Sequence, residues 1–364
     1  MNRHIKTPIF RDHIILILIM LTPYTTFAQH KDYFFEISGG SGWLYPHDPV
    51  LKPIAGQVSI FNARLGLKTL GDKEWQRTFK YPDFGIGISH NYLTKSFLGN
   101  PTAAFAFVNL PLFPNAVLKI NFGINAGLAW GINKFSGLNP ENLAIGSKCA
   151  AYGNFNLNTL IEILPRFELV LYSGLHHYSN GNTNKPNKGL NTFGAEAGLR
   201  YKINKLIFDK NVNPVPPSQK QSSIMAFGAL SWKKESTWGP FYKAGSVSIG
   251  YYRTISNKSR LSAGADLFYD EGVTEYTFKD KQLKNVMASG IFAGHELTLD
   301  RFLIVTQAGI YLSNPNPNDP FYYERLGLRY IIANRVIPSL TLKAHQFKID
   351  FIEWGLGFVL WKSK

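Results

Sequence analysis

A single cysteine, Cys149, is all that the 364 residues offer, so no intrachain disulfide can staple this fold, and no Cys/His spacing marks a metal site. Cys149 also lies too far from the amino terminus to accept a lipoprotein anchor, and it is read as a small strand residue. Acidic groups are scarce as well. There are 24 Asp and Glu against 39 Lys and Arg, a formal net charge of +15. The basic residues are scattered singly and accompany no nucleic-acid-binding motif, which argues against a nucleic-acid partner. Also missing, beyond the first 28 residues, is any charge-free apolar run of the roughly 20 residues that a membrane-crossing helix needs.

The amino terminus carries a different apolar signal. Arg3, Lys6 and Arg11 precede a short apolar run at 14–21, and Thr26, Phe27 and Ala28 end on a small residue suited to cleavage. This predicts an export signal over residues 1–28 and a mature chain starting near Gln29. Its removal takes away three basic groups and Asp12, leaving +13. A basic exported protein suits anionic partners, of which lipopolysaccharide phosphates are the obvious ones on a bacterial surface.

What the chain does have is 27 Phe, 18 Tyr, 7 Trp and 32 Gly, with a mean hydropathy of only −0.10. Apolar and polar residues must therefore be interleaved, as in an outer-membrane barrel whose strands alternate lipid-facing and inward-facing side chains. The alternation marks candidate strands at 32–45, 55–69, 82–93, 101–113, 116–133, 147–163, 166–180 and 190–203. A Pro-rich connection follows at 205–221, and further strands are expected at 222–234, 242–255, 259–270, 286–298, 301–313, 322–334, 338–346 and 349–361. The expectation is an all-β transmembrane antiparallel barrel over 29–364 with about 14 strands (range 12–16). Its aromatic last strand, with Trp354, Phe358 and Leu360 outward, would close against the first.

The segment 166–180 breaks its own pattern. Phe167, Leu169, Leu171 and Leu175 share one face, because side chains alternate with a period of two, and His177 and Ser179 continue that lipid-facing row. Polar groups there cost free energy unless they sit near the interface or serve a function. With both termini periplasmic, the seventh strand ends at the outer leaflet, so the loop 181–188 is extracellular. Residues i and i+2 on a strand lie about 6.5 to 7 Å apart, within reach for an imidazole to turn toward a hydroxyl. Such a hydroxyl needs a base to become a nucleophile.

His177-Tyr178-Ser179-Asn180-Gly181, followed by Pro186-Asn187-Lys188-Gly189-Leu190-Asn191, resembles the active-site signature of the outer-membrane lipid A 3-O-deacylases, an acyloxyacyl hydrolase-related family. The resemblance covers 166–203 and extends back to the strand beginning at Asp32, a deacylase-like part within 29–203. It does not reach 204–364, read as additional strands. It implies a serine esterase with no cofactor, acting on lipid A in the outer membrane from the outer wall of the barrel. Ser179 would be nucleophile, His177 general base, and the Asn180 and Gly181 amides the oxyanion hole.

Where the family carries an acid, this chain has Asn191. An amide oxygen can still fix the imidazole tautomer, though not by charge. Asn191 shares the face of His177 and Ser179, whereas Glu196 faces inward with Thr192 and Arg200 and is expected to pair with an interior arginine such as Arg64 or Arg200. Asn187 and Gly189 read as loop formers first. Two other readings stay open, a noncatalytic barrel serving as pore or surface-binding protein and a calcium-dependent phospholipase-like enzyme.

Overall fold

The computed structural model describes residues 31–113, 119–204, 211–333 and 335–363; the expected export signal and part of the Pro-rich connection lie outside them. Alternating sequence becomes strand wherever the alternation was legible. The first eight strands are β1 (Asp32–Leu44), β2 (Gly56–Lys68), β3 (Asp83–Leu93), β4 (Gly99–Pro111), β5 (Ile120–Ile132), β6 (Ala150–Leu164), β7 (Phe167–Ser179) and β8 (Leu190–Lys202). Each pairs antiparallel with its neighbour, and β8 returns to β1 from Phe34↔Lys202 to Leu44↔Thr192.

That closure corrects the expectation of one barrel of about 14 strands. With β1 already paired on both edges, no edge remains for a later strand, and the prolines at 214, 216 and 217 interrupt the sheet before it resumes. A second closed barrel follows, built from β9 (Ser222–Lys233), β10 (Tyr242–Ser256), β11 (Ser259–Asp270), β14 (Met287–Leu299), β15 (Phe302–Ser313), β16 (Tyr322–Tyr330), β17 (Val336–His345) and β18 (Lys348–Lys362). The pair β12 (Thr277–Phe278) and β13 (Lys281–Gln282) forms a ribbon in the loop after β11. The last strand therefore closes on β9, not on β1. The architecture is all-β, as expected, and among the described residues sixteen strands form two eight-stranded barrels.

Outward-facing residues such as Ile37, Phe61, Leu65 and Ile86 in the first barrel, and Val247, Leu267, Trp354 and Phe358 in the second, are exposed and apolar. Inward-facing positions are polar, aromatic and buried. Eight strands enclose a space that side chains alone can fill, and here they do. Arg200 reaches Glu36 at 3.0 Å and Asp83 at 2.7 Å, Tyr172 donates to Glu36 at 2.6 Å, and the Arg64 guanidinium stacks 4.1 Å from the Tyr172 ring. An asparagine ladder through Asn121, Asn158, Asn156, Asn154 and Asn125 satisfies the neighbouring strands. In the second barrel Arg325 binds Glu353 and Asp266, while Arg260 and Arg329 share Glu296.

Glu196 departs from its expected partner. It pairs with His176 at 3.4 Å and accepts hydrogen bonds from Ser38 and Asn62, while both Arg64 and Arg200 turn to Glu36. The network makes Arg200 a keystone. Arg200→Met strands the buried Asp83 carboxylate, leaves Glu36 to Arg64 and Tyr172, and is expected to cost about 3–5 kcal/mol, the usual loss on removing one member of a buried pair. A urea unfolding midpoint in detergent equal to that of the wild type would contradict it.

Candidate functional site

Strand pairing, more than proximity in sequence, assembles the site. In the β7–β8 ladder His177 stands directly opposite Asn191, and the His177 Nδ1 to Asn191 Oδ1 distance is 2.5 Å. Both side chains lie on the outer face with Leu171 and Phe193, whereas Tyr172, His176, Thr192 and Glu196 are buried inside. His176 hydrogen-bonds Tyr152 at 2.9 Å and belongs to the interior, as its parity required.

Ser179 occupies the same outer row at the end of β7, yet it is only 5% exposed. The reason is the loop 180–189, which folds back over it. Asn187 Nδ2 donates to Ser179 Oγ at 3.1 Å, Ser179 Oγ donates to Asn187 Oδ1 at 3.2 Å, and the Gly181 N–H points at Ser179 Oγ at 3.2 Å. The Asn180 N–H is taken by Asn187 Oδ1 at 3.0 Å. Of the two amides expected to form the oxyanion hole, Gly181 thus faces the serine and Asn180 instead orients Asn187. The hydrogen bonds of Ser179 run to Asn187 and Gly181 and not to His177.

Two supports hold this loop. From the first barrel, the β5–β6 loop supplies the Ala144 carbonyl, which accepts from the Lys188 and Gly189 amides at 2.8 and 3.0 Å, and the Gly146 amide, which donates to the Pro186 carbonyl at 2.7 Å. Buried Asn142 caps that segment by accepting from the amides of Ala144 and Ile145. From the second barrel, the Asp350 carbonyl accepts from Asn182 Nδ2 at 2.9 Å and the Lys234 amide donates to the Asn182 carbonyl at 3.2 Å. Burial at this junction lowers the Lys185 ammonium from its ordinary range, against the opposing pull of Glu235.

Asn187, which the sequence marks as a loop former first with any catalytic role secondary, is the residue that contacts Ser179, and His47 was not singled out at all. His47, in the β1–β2 loop, lies 2.9 Å from Asn191 Nδ2 through its Nδ1. Nothing local in the sequence joins residues 144 positions apart. The contributions of Asn182, Lys234, Asp350 and Ile352 were equally invisible, because they depend on how the two barrels sit.

Gly181 lies against Ile352 of the second barrel. Its φ is +63°, and a Cβ there would stand 2.1 Å from Ile352 Cδ1. A β-branched residue at positive φ is a conformational outlier, so Gly181→Val is expected to withdraw the 181 amide from Ser179. Turnover should fall while the barrels remain heat-modifiable on a gel; unchanged turnover would show that the amide position is irrelevant.

The only cluster of three acids at metal-binding distance among the described residues, Glu235, Asp270 and Asp350, surrounds the Lys233 ammonium at 2.5–2.7 Å. The Lys233 ammonium sits at the centre of that cluster and offsets part of its charge, and Lys343 binds Asp350 at 2.6 Å.

Among the comparisons with known proteins, only the family models divide at the same place as the fold. Among solved structures, likenesses include CdiB from Acinetobacter baumannii (12% identity, 92% of this chain and 60% of that one, TM-score 0.19). Omp33 from the same organism shows 9% identity over 92% of this chain and all of its own, with a TM-score of 0.17. The siderophore receptor PirA, also from A. baumannii, shows 10% identity over 90% and 58% of the two chains, with a TM-score of 0.24. This chain thus spans about 60% of the length of CdiB. No curated protein matches. Family models are more informative: residues 60–200 match lipid A 3-O-deacylase (PagL), and residues 220–362 match the acyloxyacyl hydrolase C-terminal domain. With one match on each barrel, the chain belongs to the lipid A 3-O-deacylase family of acyloxyacyl hydrolases.

Proposed function

We propose that this protein is an outer-membrane esterase that removes an acyl chain from lipid A, at the 3-O position, using Ser179, His177 and Asn191 on the lipid-facing wall of the first barrel. The observation that carries this reading is the cross-strand pair of His177 and Asn191, set beside Ser179 on a face otherwise built to meet lipid.

The chemistry follows from the hydrogen bonds. Asn191 Oδ1 accepts from His177 Nδ1–H, which leaves the lone pair on Nε2, the nitrogen available to the serine side. When an ester carbonyl approaches laterally, Nε2 takes the Ser179 proton as Oγ attacks; such contacts tighten as substrate binds. The Gly181 amide and Asn187 Nδ2, both within 3.2 Å of Oγ, are the donors for the oxyanion that forms beside it. His177 then protonates the departing sugar oxygen, and water repeats the cycle to free the fatty acid.

The buried, mutually bonded side chains inside both barrels favour this reading over a pore, and Lys233 seated among Glu235, Asp270 and Asp350 favours it over a calcium-dependent phospholipase. Mass spectrometry of lipid A from cells with and without the protein tests the proposal. The expected result is loss of one ester-linked acyl chain only where the protein is present; unaltered lipid A overturns it.

A further inference from the structure

We infer that His47 is a positioning residue for this site, holding the Asn191 amide in the one orientation that makes His177 a base. The inference rests on the reading of Ser179, His177 and Asn191 as the catalytic group and adds to it a residue from a different loop.

An amide differs from the family's carboxylate in one respect that matters here. Either oxygen of a carboxylate accepts a hydrogen bond, so its rotation is harmless. An amide has one accepting end and one donating end. With Oδ1 toward His177, Nδ1 carries the proton and Nε2 keeps its lone pair. With the amide turned over, Nδ2 donates to Nδ1, the proton moves to Nε2, and the imidazole can no longer accept from Ser179. Something must choose between the two, and His177 by itself does not.

His47 makes the choice. Its Nδ1 lies 2.9 Å from Asn191 Nδ2 and, as the acceptor, fixes Nδ2 on the side away from His177. The relay then runs in one direction, from His177 Nδ1–H to Asn191 Oδ1 and from Asn191 Nδ2–H to His47 Nδ1. The backbone around His47 is built to hold it there. The Tyr45 amide donates to the Asn191 carbonyl at 2.8 Å, and the Tyr45 ring meets Phe193 edge-on at 6.1 Å. On the other side, Asp48 binds Lys188 at 2.6 Å and caps the 3-10 turn Pro49–Ile54 through the Val50 amide. The Lys188 ammonium keeps the Asp48 carboxyl below its ordinary range, so that tether stays charged. Tyr45 and Asp48 thus tie the loop to β8 and to the residue next to Gly189, leaving His47 suspended over Asn191.

The test is a rescue experiment on the full chain in detergent with lipid A as substrate. His47→Ala is expected to lower kcat by about tenfold, the worth of one orienting hydrogen bond, with KM unchanged. His47→Gln, which retains an accepting oxygen, should recover most of the rate. In an Asn191→Glu background His47→Ala should have no effect, because a carboxylate needs no orienting. Equal losses from His47→Ala in both backgrounds overturn the inference, as does His47→Gln no better than His47→Ala in a heat-modifiable barrel. A silent His47→Ala beside an inactive Ser179→Ala also overturns it but leaves the catalytic reading intact; an active Ser179→Ala overturns the catalytic reading beneath it.

Discussion

Ser179→Ala is expected to abolish release of fatty acid from lipid A, with a drop of up to roughly six orders of magnitude, the size seen when a serine nucleophile is removed. The folded barrels should survive the change. Ser179 Oγ bonds only to Asn187 and the Gly181 amide, both in a loop that is independently anchored at Ala144, Gly146 and Asp350. His177→Ala should lose as much, and the double variant no more than either single one, because a nucleophile without its base and a base without its nucleophile are equally idle. The measurement is fatty-acid release by purified protein whose heat-modifiability on a gel matches the wild type. Wild-type release by Ser179→Ala removes the proposed nucleophile. A double variant far worse than both singles removes the coupling.

Asn191→Ala is expected to slow hydrolysis by about 10²- to 10⁴-fold, within the span of acid–base contributions, since it leaves His177 Nδ1 without its acceptor on the outer wall. Glu196→Gln, by contrast, should leave turnover near wild type and lower thermal stability. Its carboxylate lies inside the barrel with Ser38, Asn62 and His176, on the opposite face of β8 from Asn191. The two variants therefore separate outer wall from interior. An inactive Glu196→Gln beside a fully active Asn191→Ala would place the chemistry in the interior and refute the face assignment.

The second barrel bears on both results. By receiving Asn182 at Asp350 and Lys234 and seating Gly181 on Ile352, it braces the loop that carries Gly181 and Asn187 toward Ser179. The long carboxyl half is thus in contact with the candidate site, which gives its presence a physical role beyond extra membrane-embedded surface.

Strand alternation is a local property, written residue by residue, and the sequence by itself determined what depends on it. The eight strands of each half, the outward row of His177, Ser179 and Asn191, and the inward row of His176, Glu196 and Arg200 all follow from a period of two. The HYSNG string and the Pro-Asn-x-Gly that follows it carried the family likewise, because they sit within one hairpin. Which strand closes on which is not local. Every edge strand presents the same backbone donors and acceptors, so alternation fits one barrel of 12 to 16 strands as well as two of eight, and only the β8–β1 ladder decided between them. Side-chain partners across long separations were decided the same way. Glu196 meets His176 and not Arg64, His47 meets Asn191, and Asn182 meets Asp350 because closure and the placement of loops bring them within hydrogen-bond range, a condition that depends on three-dimensional distance and leaves no mark in the spacing of residues along the chain.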